Sequence, residues 1–279
     1  SDSGLDSVES NLTLWLDASN INGQNNAGIS HDQTVRTWKD LSGSNHDVSG
    51  SAKYKTNAIN NKDGLEFIRS QMKSSSFDAG TNQTAFVVFQ MPPNGHSWAY
   101  IIGHGSRTVD WAMKRWGLNT SKFALDGAYG SAQLNVDIVL DEPNIGVGIM
   151  DGNNPWTLIT HTNSKGTQTQ TKKYYNYDGV NSEFKMGSAN AAGADNSNAK
   201  ISEIIYFNKT LSDMEITEVT RYLSKKWGLE ASVDSDGDGV VDANDSDANG
   251  NGIPDIDEVP TYTELSDGTT IDKFPTNNA

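Results

Sequence analysis

Leu12, Leu14 and Leu16 alternate with Thr13, Trp15 and Asp17 near the start of the chain. This is the period-two pattern of a strand with one buried face. Short runs of the same kind recur at 35–38, 64–68, 84–89, 98–102, 112–118, 123–125, 135–140, 144–150, 156–161, 171–175 and 200–207. Clusters of Gly, Asn, Asp and Ser stand between them, residues that favour turns. Many short strands at near-regular spacing predict an all-β chain, a two-sheet antiparallel sandwich or jelly roll.

One stretch has the other period. Ser212, with Glu215 three residues on, forms a capping box. Ile216, Val219, Leu223 and Trp227 then fall on one face at helical spacing. Gly228 comes next as a terminating glycine. The expected result is one short C-terminal helix over an edge or face of the sandwich, with the globular domain spanning 11–230. Residues 259–279 show no periodicity and read as a linker.

The acidic stretch between these regions is more specific. Asp247, Asn249, Asn251, Gly252 and Glu258 match the calcium-loop pattern in full. Asp234, Asp236, Asp238, Gly239, Asp242 and Asp245 repeat it, ending in Asp instead of Glu. Positions 1, 3 and 5 offer short oxygen side chains, and the glycine at position 6 permits a sharp turn. Position 7 offers a backbone carbonyl, here Val240 and Ile253. Position 9, Asp242 or Asp255, acts directly or through water, and position 12 closes the shell. Calcium takes about six to eight oxygens in flexible geometry, which this spacing supplies from one short segment. A random acidic run would not place Gly239 and Gly252 in register. Only Ser246 separates the loops, so no helix fits between them and paired EF-hands are excluded.

Three segments carry a resemblance. They are Leu14-Trp15-Leu16-Asp17-Ala18-Ser19-Asn20-Ile21-Asn22-Gly23, then Val35-Arg36-Thr37-Trp38-Lys39-Asp40-Leu41-Ser42-Gly43-Ser44-Asn45-His46, and finally 201–208 with Leu211-Ser212-Asp213, Tyr222-Leu223 and Trp227-Gly228-Leu229. Together they resemble the bacterial concanavalin A-like, laminin-G-like domains, at both ends of 11–230. The resemblance implies a two-sheet jelly roll, and it places Trp15, Trp38 and Trp227 in the core. It implies no single function, because such domains serve as lectins, adhesins and accessory modules of polysaccharide-degrading enzymes. The double loop resembles thrombospondin type 3 repeats, which implies a calcium-stiffened segment between extracellular modules.

Composition narrows the setting. The net charge of -15 is uneven: residues 234–279 hold twelve acids against one lysine, leaving 24 acids against 20 bases elsewhere. The sign argues against nucleic acid, which needs a basic patch. The absence of cysteine, beside a calcium motif, fits a bacterial secreted or surface protein. No run approaches the ~18 apolar residues needed to span a membrane, so no membrane insertion is expected. No signal-peptide pattern is visible in the sequence, and the chain is expected to be a piece of a longer one with adjacent modules.

Catalytic chemistry finds little support. His96, His104, Ser106 and Asp110 lack the strand–turn–helix context of a nucleophile elbow. Asp141 and Glu142 precede Pro143 in a turn, and the histidines lack metal-ligand spacing. The chain is therefore expected not to be an enzyme. A ligand site is expected from the concentration of Trp98, Tyr100, His104, Arg107, Asp110, Trp111, Trp116 and Tyr129 among glycines, since aromatic faces with convergent polar groups suit a small site. Arg115 adds to this cluster. The competing reading, two ordinary central strands joined by a turn, is slightly favoured over a site. Asn153, Asn154 and Trp156 form a weaker candidate. Asp17, Asn20, Asn22 and Asn26 could hold a further calcium ion or only make a turn, the turn being slightly favoured.

The leading expectation is a non-catalytic, calcium-binding, ligand-binding module of a large bacterial surface adhesin, with an extracellular glycan or peptide ligand. A carbohydrate-binding accessory module of a secreted polysaccharide-degrading enzyme and a purely structural spacer are the alternatives.

Overall fold

The computed structural model describes residues 11–105, 110–117, 121–127, 133–173, 181–190, 192–193 and 195–257, with the backbone of two short strands beyond. The strands are β1 (Leu12–Asp17), β2 (Thr34–Trp38), β3 (Val48–Ile59), β4 (Lys62–Glu66), β5 (Met72–Asp78), β6 (Gln83–Gln90), β7 (Tyr100–His104), β8 (Trp111–Arg115) and β9 (Lys122–Gly127). They continue as β10 (Gln133–Asp137), β11 (Pro143–Met150), β12 (Trp156–Thr162), β13 (Gly166–Lys172), β14 (Asn181–Met186) and β15 (Lys200–Phe207). Helix α1 spans Asp213–Trp227. Within the stretch expected to be a linker, β16 (Tyr262–Glu264) pairs with β17 (Thr270–Asp272).

The strands hydrogen-bond in the order β10-β9-β8-β7-β14-β5-β3-β4-β15-β6-β11-β12-β13, with β1 on β15 and β2 on β3. This path folds over itself into two facing layers. A Cβ on Gly146 of β11 would lie 2.9 Å from Phe123 of β9, and one on Gly148 would lie 2.4 Å from Met113 of β8. Both glycines therefore leave room for large side chains of the opposite layer. Phe89 of β6 stacks on Phe123 at 4.7 Å between ring centres. We call β5, β14 and β7–β10 the front layer, and β1, β15, β6 and β11–β13 the back layer. Gln168 and Gln170 of β13 meet backbone N–H groups or carbonyls of β10 at the open side, which caps edges that would otherwise invite pairing.

Helix α1 covers the outer face of the back layer, so the molecule has three layers and two apolar interfaces. Central back-layer strands are consequently buried on both sides, as in Lys200–Phe207, where all but the first residue are buried. The helix begins and ends where the sequence places it. Glu215 N–H donates to Ser212 Oγ, the Glu215 carboxylate accepts from Ser212 N–H, and Gly228 closes the last turn at φ +69°. A glycine suits that left-handed conformation.

A buried carboxylate explains much of the N- and C-terminal sequence pattern. Glu203 is fully buried under α1. It accepts from Trp15 Nε1 at 2.8 Å, Tyr222 Oη at 2.9 Å and Trp227 Nε1 at 2.6 Å, and pairs with Lys226 Nζ at 3.1 Å. Lys226 also reaches Asp17 at 2.6 Å. Trp38 Nε1 donates to the Asp17 carbonyl at 3.1 Å. Asp40 holds the following turn, accepting from the backbone N–H groups of Trp15, Ser42 and His46. Trp15, Trp38 and Trp227 are thus core residues, and two of them donate to a carboxylate whose pKa burial pushes up, opposing that rise together with Lys226.

Several strands differ from expectation. β3, β5 and β14 have no counterpart among the expected runs, and β13 lies upstream of the expected 171–175. Their solvent-facing positions are polar or charged, mostly Ser, Lys, Gln, Thr, Asn and Asp, and few large apolar residues mark the inner face. In β3 the buried positions include Val48, Ala52 and Tyr54, with polar residues between.

Candidate functional site

The residues expected to bind ligand are divided between the two faces of the front layer. His104, Asp110 and Trp111 face inward and are 0% exposed. Asp110 holds His104 Nδ1, whose Nε2 lies 3.1 Å from the Phe77 carbonyl. Trp111 Nε1 donates to Gln83 of the back layer at 2.6 Å. This inward parity makes them core residues and removes them from any surface ligand. Arg107, Ser106 and Tyr129 lie outside the described residues.

Trp98, Tyr100 and Trp116 lie together on or beside the outer face. The Trp98 and Trp116 rings meet edge to face at 4.5 Å. Trp98 is 36% exposed. Lys114 Nζ sits 5.2 Å from the Trp116 ring and 5.8 Å from the Trp98 ring, within cation–π range, and pairs with Asp126. Tyr100 lies across Gly103, where a Cβ would come within 2.3 Å of its hydroxyl. The buried Tyr100 hydroxyl and Asp126 Oδ1 have no hydrogen-bond partner among the described residues. Burial pushes the Tyr100 phenol above its ordinary pKa. Lys114 and Asp126 were not anticipated. The alternation Trp111-Ala112-Met113-Lys114-Arg115-Trp116 was the available signal, since it puts Lys114 on the face opposite Trp111.

The two weaker candidates are self-satisfied turns. Asp151 accepts from the backbone of Asn153 at 2.8 Å and Asn154 at 3.1 Å, and Trp156 is fully buried. Asn26 ties Ile21 N–H and the Ala18 carbonyl together, Asn20 receives Asn25 N–H, and Asn22 receives Gln24 N–H. Asp17 is taken by Ser19 and Lys226. This is a turn, the favoured of the two readings.

The acidic segment forms two loops with the same internal bonding. In the first, Gly239 N–H donates to Asp234 Oδ2 at 3.0 Å and Val240 N–H to Asp238 Oδ1 at 2.7 Å. In the second, Gly252 N–H donates to Asp247 Oδ2 at 2.9 Å and Ile253 N–H to Asn251 Oδ1 at 2.7 Å. Gly239 and Gly252 have φ of +98° and +88°, the sharp turn that glycine permits. The loops also touch, because a Cβ on Gly250 would lie 2.7 Å from Asp236 Oδ2.

Position 9 behaves alike in both loops. Asp242 accepts from Ser235 N–H at 2.8 Å, and Asp255 from Ala248 N–H at 3.2 Å. Arg221 of α1 binds Asp255 at 2.6 Å and Glu230 at 3.1 Å. These position-9 carboxylates thus brace the loops and dock them on the helix. Val233 enters the apolar core, and Asp242 N–H bonds its carbonyl at 2.7 Å. At the boundary expected near residue 230, the sandwich and the acidic loops are therefore closely packed together.

The donor set suits a hard cation. Ligand oxygens of Asp234, Asp236 and Asp238 lie within 4.8 Å of one another, so this triad can hold a metal ion. Asp245 Oδ2, at the closing position, is buried without a partner among the described residues. Burial, then the neighbouring carboxylates of Asp238, Asp245 and Asp234, push the Asp236 carboxyl up. A divalent ion bound there would balance four mutually repelling carboxylates. The second loop presents Asp247, Asn249, Asn251 and the Ile253 carbonyl; its closing Glu258 lies outside the described residues.

The first loop also forms one wall of a cleft of about 300 Å³ between α1 and the outer face of β11–β13. His161 of β12 lies there, its Nδ1 2.8 Å from Thr167 Oγ1. Burial lowers its pKa to about 4 despite the opposing charge of Asp234.

No family model matches the chain, and no curated protein does. Solved structures do match. The receptor binding domain of botulinum neurotoxin C/D mosaic serotype aligns with a TM-score of 0.55 at 14% identity, over 76% of this chain and 51% of that one. The binding domain of botulinum neurotoxin DC in complex with rat synaptotagmin II gives 0.53 at 12%, over 77% and 52%. The serotype D ligand binding domain in complex with N-acetylneuraminic acid gives 0.53 at 15%, over 75% and 50%. The chain spans about half the length of these structures. The likeness is one of fold: an all-β antiparallel jelly roll of the concanavalin A-like kind with one helix, as found in the receptor-binding domains of these neurotoxins.

Proposed function

We propose that this chain is a non-catalytic, calcium-binding, extracellular ligand-binding module of a large bacterial surface adhesin. Its ligand, a glycan or a protein segment, docks on the outer face of the front layer. The observation that carries this reading is the Trp98–Trp116 pair beside Lys114, next to the buried Tyr100 hydroxyl and Asp126 Oδ1, which have no hydrogen-bond partner among the described residues. Aromatic faces supply stacking area, and a buried polar atom with unmet capacity gains most from a ligand hydrogen bond. Two neighbours in fold are complexes with N-acetylneuraminic acid and with a synaptotagmin, which supports a binding role for such a jelly roll and assigns no ligand here.

Calcium has a structural part in this reading. Asp234, Asp236, Asp238, Asp245 and the Val240 carbonyl would hold one ion, and Asp247, Asn249, Asn251, Glu258 and the Ile253 carbonyl a second. When bound, the ions neutralise the loop carboxylates and fix loops that Arg221 already ties to the helix. Millimolar extracellular calcium suffices for sites of this type. The loops resemble thrombospondin type 3 repeats and the jelly roll resembles the bacterial laminin-G-like domains, both of which support an extracellular setting with further modules adjacent.

A glycan array and a displayed-peptide library, each probed in calcium and in EDTA, test the reading. Binding that falls at least tenfold in the Trp98→Ala/Trp116→Ala variant is expected. Absence of any ligand, or binding untouched by that variant, would overturn the assignment of the face. Hydrolysis of a polysaccharide by this chain alone would overturn the non-catalytic reading.

A further inference from the structure

The cleft between α1, the outer face of β11–β13 and the first loop lies on the opposite side of the sandwich from Trp98 and Trp116. We propose that it is a second ligand pocket, for one unit of an uncharged, hydroxyl-rich molecule such as a neutral sugar ring. Its volume of about 300 Å³ lies at the lower end of small-molecule sites, roughly 300–1,000 Å³. That suits a single ring.

The lining points to the ligand class. Ile149, Ile159 and Ile216 give an apolar floor, and Thr157, Thr169 and Thr217 present hydroxyls around it. A hydroxyl both donates and accepts, so such a wall pairs with another hydroxylated surface in many orientations. The lining contains no lysine or arginine, and its carboxylates are Asp213, Asp234 and Asp236. An anionic ligand therefore finds no countercharge from the side chains.

One group in the lining is unsatisfied. Thr220 is 1% exposed, and its hydroxyl is buried with no hydrogen-bond partner among the described residues. A threonine inside a helix ordinarily bonds the carbonyl one turn back, and a buried hydroxyl left without a partner is costly. A ligand hydroxyl at the helix wall would relieve that cost. The other wall is Ser235, Asp236 and Gly237 of the first loop, so the pocket is complete only when that loop is ordered.

Saturation-transfer NMR on the full chain tests this, in millimolar calcium and in EDTA. The probes are glucose, galactose, mannose, N-acetylglucosamine and N-acetylgalactosamine, with N-acetylneuraminic acid as the anionic control. At least one neutral sugar should receive saturation, and the acid should receive none in a variant lacking Trp98 and Trp116. Thr217→Trp, which fills the cleft, should abolish transfer. Thr220→Val should weaken binding about three- to tenfold while leaving the melting temperature equal or higher, because it removes an unpaired buried hydroxyl. EDTA should weaken binding as the loop wall loosens. Transfer that survives both cleft variants but disappears in Trp98→Ala/Trp116→Ala would place the sugar on the front face and overturn the pocket. So would the absence of transfer to every neutral sugar. Loss of the front-face ligand with cleft binding intact would overturn only the earlier reading.

Discussion

Glu203 and the carboxylates of the double loop are opposite solutions to one electrostatic problem. Glu203 is wholly buried, yet its two oxygens receive three neutral side-chain donors and a lysine. Its complement is built into β1 and α1. In the first loop, Asp234 and Asp238 are met by backbone N–H groups, which carry no full charge, and Asp245 keeps one buried oxygen unpartnered among the described residues. The carboxylates there face one another. A carboxylate paired by its own chain is a structural element; a cluster of them without a protein cation would be relieved by an external one.

The largest effect should come from breaking the finished example. Glu203→Ala removes the acceptor of two indole N–H groups and the Tyr222 hydroxyl under the helix and leaves Lys226 with Asp17 as its carboxylate partner, and it should cost about 3–5 kcal/mol, the usual penalty for removing one partner of a buried ion pair. Urea denaturation with calcium held constant measures it. Glu203→Gln keeps an acceptor oxygen and should cost less. A loss below about 1 kcal/mol for the alanine variant would mean that the carboxylate does not organise the interface between helix and sheet.

A second test uses the titratable base beside the first loop. The His161 pKa falls from 6.5 to about 4 in the folded chain. Between those values the unfolded chain binds the extra proton and the folded chain does not. Its contribution to stability is therefore complete above pH 6.5 and is lost as pH falls toward 4. The amount is on the order of 3 kcal/mol at one pKa unit per 1.36 kcal/mol. The difference between wild type and His161→Gln in a pH series of denaturation curves isolates it from the titrating carboxylates. Parallel curves would show that Asp234 protects the imidazolium better than burial penalises it.

These residues differ in how far the sequence exposed them. The turn geometry of the double loop was readable because its spacing puts Gly239 and Gly252 at the sixth position, where both take a positive φ. The capping box and Gly228 were readable for the same reason, as local signals. The jelly roll was legible in its apolar strands, β1, β6, β11 and β15, and illegible in β3, β5 and β14, whose pairing is set by distant partners. The front face failed by parity: His104 and Trp111 look like recognition residues in one dimension, but the strands turn them inward. Glu203 could not be assigned at all, because its partners are 19 to 188 residues away.

Arg221 joins the two regimes, since it belongs to the helix but binds position 9 of the second loop. Arg221→Ala should cost about 2 kcal/mol, for a mostly buried guanidinium that satisfies Asp255 and Glu230. It should also raise amide hydrogen exchange in 242–257 more than in β6 or β15. Equal exchange in both regions would mean that the loops and sandwich open as one unit irrespective of this contact.

The smallest effect is the most diagnostic, because its sign should change. Asp236 is pushed up by burial and by three neighbouring carboxylates. In EDTA, Asp236→Asn removes one repelling charge and should stabilise the chain by up to about 1 kcal/mol, the scale of partly exposed charge interactions. In millimolar calcium the same change removes a ligand oxygen charge. It should weaken binding at the first loop and lower the melting temperature relative to wild type, since a bound ion stabilises in proportion to its affinity and concentration. Calorimetry of both proteins in both buffers gives four melting temperatures and one crossing. If Asn is stabilising in both, the first loop does not hold the ion. If it is destabilising in both, the carboxylate is a structural acceptor like Glu203, and the contrast between the two regions is false.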